Sequence, residues 1–233
     1  MRRSTALVPA LAALAASLAC APTTPPPIVR APVWLVSLTS LDASIPLDIR
    51  YAGPDNFVGE PIDGYEAPVC LLTERAARAV VAAQKELRAL GLSLLVLDCY
   101  RPQRAVDHLL RWVRDPDEST RARHYPFIPK GELVSRGYIA DRSSHSRGSS
   151  LDVSLLSTSW DTPRPLDMGT PFDFFDERSH TDSLEVPAAA AANRRLLREV
   201  LERHGFRNYP LEWWHYTLRD EPYPNRHFDI PVR

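Results

Sequence analysis

A chain of 233 residues with 44% hydrophobic and 24% charged residues carries enough apolar material for one sizeable core, and its composition excludes a disordered or fibrous protein. Its 28 Lys and Arg against 29 Asp and Glu leave a net charge of −1 with no basic run, which argues against nucleic acid as a partner. There is no internal repeat, and low complexity is confined to residues 21–32.

Met1-Arg2-Arg3 and the apolar residues 6–19 read as a signal peptide over residues 1–19, because the stretch is too short to span a bilayer. The expected location is therefore outside the cytoplasm, in a bacterial envelope. Residues 20–32 form a Pro-rich tether. Ser17-Leu18-Ala19-Cys20 resembles a lipoprotein signal, which would anchor Cys20 to a membrane through lipid. Ala19-Cys20-Ala21 also satisfies the small-x-small rule for ordinary cleavage, which would leave a soluble periplasmic protein.

Residues 33–233 make the predicted folded domain. A strand is expected at 46–51, a helix at 73–90 ended by Gly91, and a strand at 93–99. The helix rises about 27 Å at roughly 1.5 Å per residue and the strand returns about 23 Å, so the chain comes back near its start. In an exported protein this predicts a Cys70–Cys99 disulfide, with two buried free thiols as the alternative. A helix over 102–114 has Pro102 suited to its first turn. The polar residues 115–141, with Pro126 and Pro129, are expected to fold over the site as a partial lid. Strands follow at 151–155 and 213–218, separated by a helix at 188–204 that Gly205 closes. Leu196, Leu197, Val200 and Leu201 fall on one face of that helix, as a core stripe does. Grouped helices and irregularly alternating strands give a single α+β domain rather than a doubly wound sheet.

The chemistry concentrates in two segments, Ser143-Ser144-His145-Ser146-Arg147-Gly148-Ser149-Ser150-Leu151-Asp152 and Glu212-Trp213-Trp214-His215. Catalytic zinc takes three ligands from His and Asp/Glu and leaves a position for water. His145, Asp152 and His215 fit as one set of ligands for one Zn2+, and Glu212 as the base. His145 and Asp152 reach one ion only if the chain reverses between them, and Gly148 suits that reversal. A step of three places Glu212 and His215 on opposite faces of a regular strand, so Glu212 is expected in the turn after Pro210. The other histidines, His108, His124, His204 and His227, read as structural, and Trp213-Trp214 as packing. Asp152 alone reads as a turn residue and Glu212 alone as a solvated charge; only the joint pattern is specific.

These segments, together with Asp55-Asn56-Phe57-Val58-Gly59, Tyr100-Arg101-Pro102, residues 168–180, Asn193-Arg194-Arg195 and residues 211–224, resemble the D-alanyl-D-alanine dipeptidases of the vancomycin-resistance type, zinc D,D-peptidases with a hedgehog-like fold. The resemblance runs from about Leu47 to the C-terminus. It implies a central, mainly antiparallel sheet flanked by helices, with His145, Asp152 and His215 as zinc ligands and Glu212 as general base and acid. It makes Arg101 the stabiliser of the transition-state oxyanion, a residue that would otherwise read as a surface salt-bridge partner. It also places Asp173 at the substrate ammonium, and Tyr51 and Ser143 near the substrate. Asp176 and Glu177 read as structural carboxylates, with His180 either orienting one of them or lying free on the surface.

The implied activity is zinc-dependent hydrolysis of the dipeptide D-alanyl-D-alanine in cell-wall turnover, with a small dipeptide as the partner molecule. A zinc D,D-carboxypeptidase or endopeptidase acting on peptidoglycan stem peptides is the alternative. A zinc-containing binding protein without catalysis is disfavoured, because a purely structural site closes its fourth position with protein.

Overall fold

Thr73 starts the first long helix because its hydroxyl accepts a hydrogen bond from Ala76 N at 3.4 Å, while Glu74 in the first turn complements the positive helix end. The computed structural model describes residues 35–159 and 161–233. The predicted signal peptide and tether, Cys20 included, lie outside the described residues. In chain order the elements are β1 (Leu35–Ser37), α1 (Leu38–Leu41), β2 (Leu71–Thr73), α2 (Glu74–Ala89), β3 (Leu92–Asp98), α3 (Gln103–Arg114), α4 (Arg121–His124), β4 (Ser150–Ser157), β5 (Arg164–Pro165), α5 (Ala188–Arg203), β6 (Phe206–Tyr209) and β7 (Glu212–Leu218).

β3, β4, β7 and β6 form an antiparallel sheet in that order, with β5 paired to β4. A separate pair, β1 and β2, is also antiparallel. α2 packs on β3, α5 packs on β6 and β7, and the two helices touch each other. Alternation along β4 divides Leu151, Val153 and Leu155 from Asp152 and Ser154 on the other face. The first set joins the core that Val80, Leu87, Leu197 and Leu201 supply from the helices. From the polar face, Asp152 lines the site cavity. The α+β architecture is the one expected.

The helices follow the expected boundaries within a residue, with one shift: Pro102 is extended (φ −62°, ψ 152°) and precedes α3 rather than entering its first turn. Cys70 and Cys99 are disulfide-bonded with Cα atoms 5.2 Å apart, as expected. The bridge ties the residue before β2 to the residue after β3. A cross-link of this span contributes about 3.5 kcal/mol by restricting the unfolded chain.

The strand expected at 46–51 does not form. Leu47 makes a single parallel bridge to Val96, through Val96 N to Pro46 O at 3.0 Å and Asp48 N to Val96 O at 2.8 Å. Pro46 has no N–H to extend the ladder, and the chain coils into a 3₁₀ turn over Arg50–Ala52. That turn aims Tyr51 inward, where it is 1% exposed.

The segment 115–141 is pinned rather than loose. Buried Lys130 donates to the carbonyls of Asp115 and Asp117 at 2.9 and 2.6 Å, and its ammonium lies 4.1 Å from the centre of the Trp112 ring. Its far end, from Gly137 to Ala140, walls the active-site cavity.

Candidate active site

Sheet register builds the row on which the site rests. Asp98 of β3 stands opposite Asp152 of β4, and Asp152 stands opposite His215 of β7. Residues directly opposite in antiparallel strands point to the same face, so three polar side chains converge across three strands. His145 joins them from a 3₁₀ turn, Ser144–Arg147, whose first N–H groups are capped by Ser143 Oγ accepting from His145 N at 3.3 Å. Gly148 then reverses the chain with φ 77°, and a Cβ there would meet Leu35 Cδ2 at 2.7 Å. Only glycine fits that reversal, which brings Asp152 back to His145.

His145 Nε2, Asp152 Oδ1 and His215 Nδ1 face one another: 3.0 Å between the imidazole nitrogens, 3.3 Å from His145 to Asp152 and 3.1 Å from His215 to Asp152. Their tautomers follow from the outer contacts. His145 Nδ1 donates to the Cys99 carbonyl at 2.6 Å, which leaves a lone pair on Nε2. His215 Nε2 lies 3.1 Å from Ser144 Oγ and 3.4 Å from Thr217 Oγ1, hydroxyls able to accept its proton and so leave a lone pair on Nδ1. Two lone pairs and a carboxylate oxygen turned towards each other repel unless a cation lies among them. A tetrahedral ion with bonds of about 2.0–2.1 Å sets its ligand atoms about 3.3–3.4 Å apart, close to this spacing. Among the described residues this is the one group of His, Cys, Asp and Glu able to hold a metal ion.

Glu212 is not in the turn ahead of the strand. It is the first residue of β7, paired with Tyr209, and its Oε2 lies 3.9 Å from His215 Nδ1. A regular strand would turn these two side chains apart. The register jumps between Asn208, which pairs with Tyr216, and Tyr209, so β7 bulges between Glu212 and His215. Asn208 spans the bulge: its Nδ2 donates to the carbonyls of Glu212 and His215 at 3.1 and 3.0 Å. Thr181 Oγ1 donates to Asn208 Oδ1 at 2.6 Å and orients the amide. The bulge turns a step of three into a shared face.

Burial pushes the Glu212 carboxyl well above the usual range, and the negative Asp152 and Asp173 push it further, against Arg101. A carboxyl whose hold on a proton is strengthened in this way suits general acid–base work. Arg101 is gripped by Asp98, whose Oδ2 accepts from Nε at 3.1 Å and Nη2 at 2.9 Å. Its Nη2 also lies 3.6 Å from Asp152 Oδ2, and its guanidinium sits 4.7 Å from the Tyr51 ring centre. Asp98 is fully buried and also accepts from Tyr65 OH at 2.6 Å. Tyr51 OH in turn donates to Asp173 Oδ2 at 3.0 Å. Asp173 is 3% exposed, and burial, then the Asp152 charge, raise its carboxyl well above the usual range.

All eight site residues read from the sequence, Tyr51, Arg101, Ser143, His145, Asp152, Asp173, Glu212 and His215, line one cavity of about 670 Å³. That is within the size range of small-molecule sites. Trp214 lines the same cavity, whereas Trp213 is buried with its Nε1 donating to Thr170 Oγ1 at 2.9 Å. Asp176 caps a turn and pairs with Arg178 at 2.7 Å, and His180 Nε2 lies 3.2 Å from Tyr138 OH. Three residues of the site escaped sequence reasoning. Asp98 had a usable signal, an acid closing an apolar run three residues before Arg101. Ser144 and Asn208 had none, because each acts through a neighbour that only the folded sheet supplies.

Residues 33–233 match a peptidase family described as D-ala-D-ala dipeptidase. The chain belongs to that family. It is similar to the D-alanyl-D-alanine dipeptidase of Enterococcus faecalis, 47% identical over 186 residues covering 79% of this chain and 91% of that one. It is also similar to the dipeptidase of the same name from Streptomyces coelicolor, 46% identical over 193 residues, 82% of this chain and 95% of that one. A third, from Escherichia coli, is 33% identical over 187 residues, 79% of this chain and 84% of that one. Members of this family are metallopeptidases, in keeping with the three converging donor atoms.

Proposed function

We propose that this chain is a zinc dipeptidase that hydrolyses D-alanyl-D-alanine to two D-alanines. The observation that carries the reading is the Glu212 carboxylate set 3.9 Å from a His-Asp-His donor set in the cavity that Arg101 also lines. Two imidazoles and one carboxylate suit zinc among the common divalent ions. His145, Asp152 and His215 would hold the zinc, which when bound would supply Lewis acidity towards the scissile carbonyl and water. Glu212 takes a proton from the attacking water and returns it to the leaving amine as the C–N bond breaks, so one residue serves both halves of the reaction. Arg101, gripped by Asp98, meets the oxyanion that develops on the carbonyl. Asp173 and Tyr51 form the anionic end that takes the substrate ammonium. That ammonium supplies the positive charge which keeps the buried Asp173 carboxylate ionised. Ser143, whose oxygen accepts from the His145 N–H and whose hydroxyl proton stays available, lines the cavity beside the metal ligands as a substrate contact.

The wall from Gly137 to Ala140 and the buried Asp173 favour a short substrate with a free amino end over a wall-attached stem peptide. Release of alanine from D-Ala-D-Ala, L-Ala-L-Ala and a pentapeptide ending in D-Ala-D-Ala tests this, with and without chelator and zinc restoration. Zinc-dependent cleavage of D-Ala-D-Ala alone is expected; cleavage of the pentapeptide would replace the reading with a D,D-carboxypeptidase, and no cleavage would leave a binding protein. The N-terminal apolar stretch and Cys20 support export and a lipid anchor, hence a role in recycling wall-derived dipeptide. Incorporation of labelled palmitate that Cys20→Ser abolishes is expected; a soluble, unlabelled periplasmic protein would remove the anchor.

A further inference from the structure

The segment that carries Asp173 adopts an uncommon backbone conformation. Asp173 has φ 55°, the one positive value on a non-glycine residue among the described residues. The left-handed region crowds an L-residue's Cβ against its own backbone; Asp enters it more readily than most residues, and its surroundings then hold it there. Here the surroundings are His124. Its Nδ1 donates to the Asp173 carbonyl at 2.9 Å, and its own carbonyl accepts from Phe175 N at 2.7 Å, so one residue clamps both sides of the turn.

His124 stands behind Asp173, not in the cavity: it is 4% exposed and lines the groove on the far side of the turn. Burial holds its pKa below the ordinary histidine value, so the ring is neutral, with its single proton on the nitrogen that faces the carbonyl. Its Nε2 is buried without a hydrogen-bond partner, which leaves the Nδ1 contact as the ring's polar task. Packing is shared with Phe57, whose ring centre lies 6.4 Å away, edge to face. The flanks of the segment are held independently. Buried Arg194 donates to the carbonyls of Met168, Arg178 and His180 at 2.7, 2.8 and 2.8 Å.

We propose that His124 is a positioning residue for substrate selection: it locks Asp173 in the left-handed turn that presents the carboxylate to the ammonium of a free dipeptide. This rests on the reading of Asp173 given above. It makes the preference for an unblocked amino end depend on a side chain that never touches substrate.

The test compares His124→Phe, which keeps the ring and removes the donor, with His124→Asn, whose amide nitrogen reaches the Nδ1 position. For each variant, kcat and KM are measured on D-Ala-D-Ala. Competitive inhibition by propionyl-D-alanine, the same shape without the ammonium, is measured beside them. His124→Phe is expected to raise KM about tenfold, equivalent to about 1.4 kcal/mol, with kcat within about twofold of the parent. Inhibition by propionyl-D-alanine should not move, and His124→Asn should restore most of the loss. If circular dichroism shows that His124→Phe does not fold, His124→Gln, whose amide reaches the Nε2 position instead, replaces it with the same expectation. An unchanged KM, or equal weakening of both ligands, overturns the proposal. Asp173→Asn separates the two failures. If it leaves KM unchanged, the reading of Asp173 is wrong; if it raises KM while loss of the His124 donor does not, the positioning role alone is wrong.

Discussion

The two ends of the cavity are built differently. At the metal end, Asp98, Asp152 and His215 take their places from strand register, and His145 from a capped turn beside them. At the substrate end, Asp173 sits on a loop with no strand to hold it, and buried polar side chains from distant segments, Arg194 and His124, do the fixing. A sheet positions side chains through a backbone ladder that tolerates sequence change. A loop needs particular side chains, each a single point of failure.

The contrast is sharpest in single substitutions. Asp152→Ala should abolish stoichiometric metal binding and lower kcat/KM by about a thousandfold or more, because it removes a ligand and leaves two imidazoles without a counter-charge. Metal analysis beside turnover checks it. Retention of one tightly held ion would move the ligand set elsewhere. Arg101→Ala should keep the metal and lower kcat by about a hundredfold, with less change in KM, as loss of an oxyanion partner does. A pure KM effect would reassign Arg101 to ground-state binding.

Asn208→Ala tests whether the bulge in β7 is what brings Glu212 to the metal. Loss of the two hydrogen bonds at 3.1 and 3.0 Å should lower kcat by about tenfold while metal is retained. An unchanged kcat would mean that the bulge holds its shape without Asn208.

Much of this was legible before the fold was known. The candidate ligands stood out because His145, Gly148 and Asp152 form a spaced motif that can meet only if the chain reverses, and the structure reverses at Gly148 with φ 77°. The helix over residues 74–89 was legible as a helical stretch that Gly91 ends. The 46–51 segment misled because Pro46-Leu47-Asp48-Ile49-Arg50-Tyr51 alternates like a strand, yet only one bridge to β3 forms before the chain turns. Asn208 and His124 were illegible for a common reason. Each is a polar residue whose partners are backbone carbonyls brought close only by tertiary structure, and no local pattern encodes them. Glu212 shows the boundary between the two cases: the joint pattern with His145, Asp152 and His215 singled it out, but its spacing to His215 pointed to opposite strand faces, and the bulge that brings the two side chains together could not be read from it.

An effect on stability, with a small one on the site, is expected from the covalent tie between the ends of β2 and β3. Cys70→Ala with Cys99→Ala should lower stability by about 3.5 kcal/mol, read as a shift in denaturant midpoint at unchanged slope. Because the Cys99 carbonyl also accepts from His145 Nδ1 at 2.6 Å, the same variant should bind metal more weakly without losing it. An unchanged midpoint would show that the bridge constrains little in the unfolded chain.

The central claim is that Glu212 acts on water while His145, Asp152 and His215 act on the metal. Zinc content and D-Ala-D-Ala turnover of Glu212→Gln, measured on one preparation beside the parent, test it most directly. One zinc per chain with kcat reduced by about a thousandfold is the predicted result; zinc retained with near-parental kcat would contradict it.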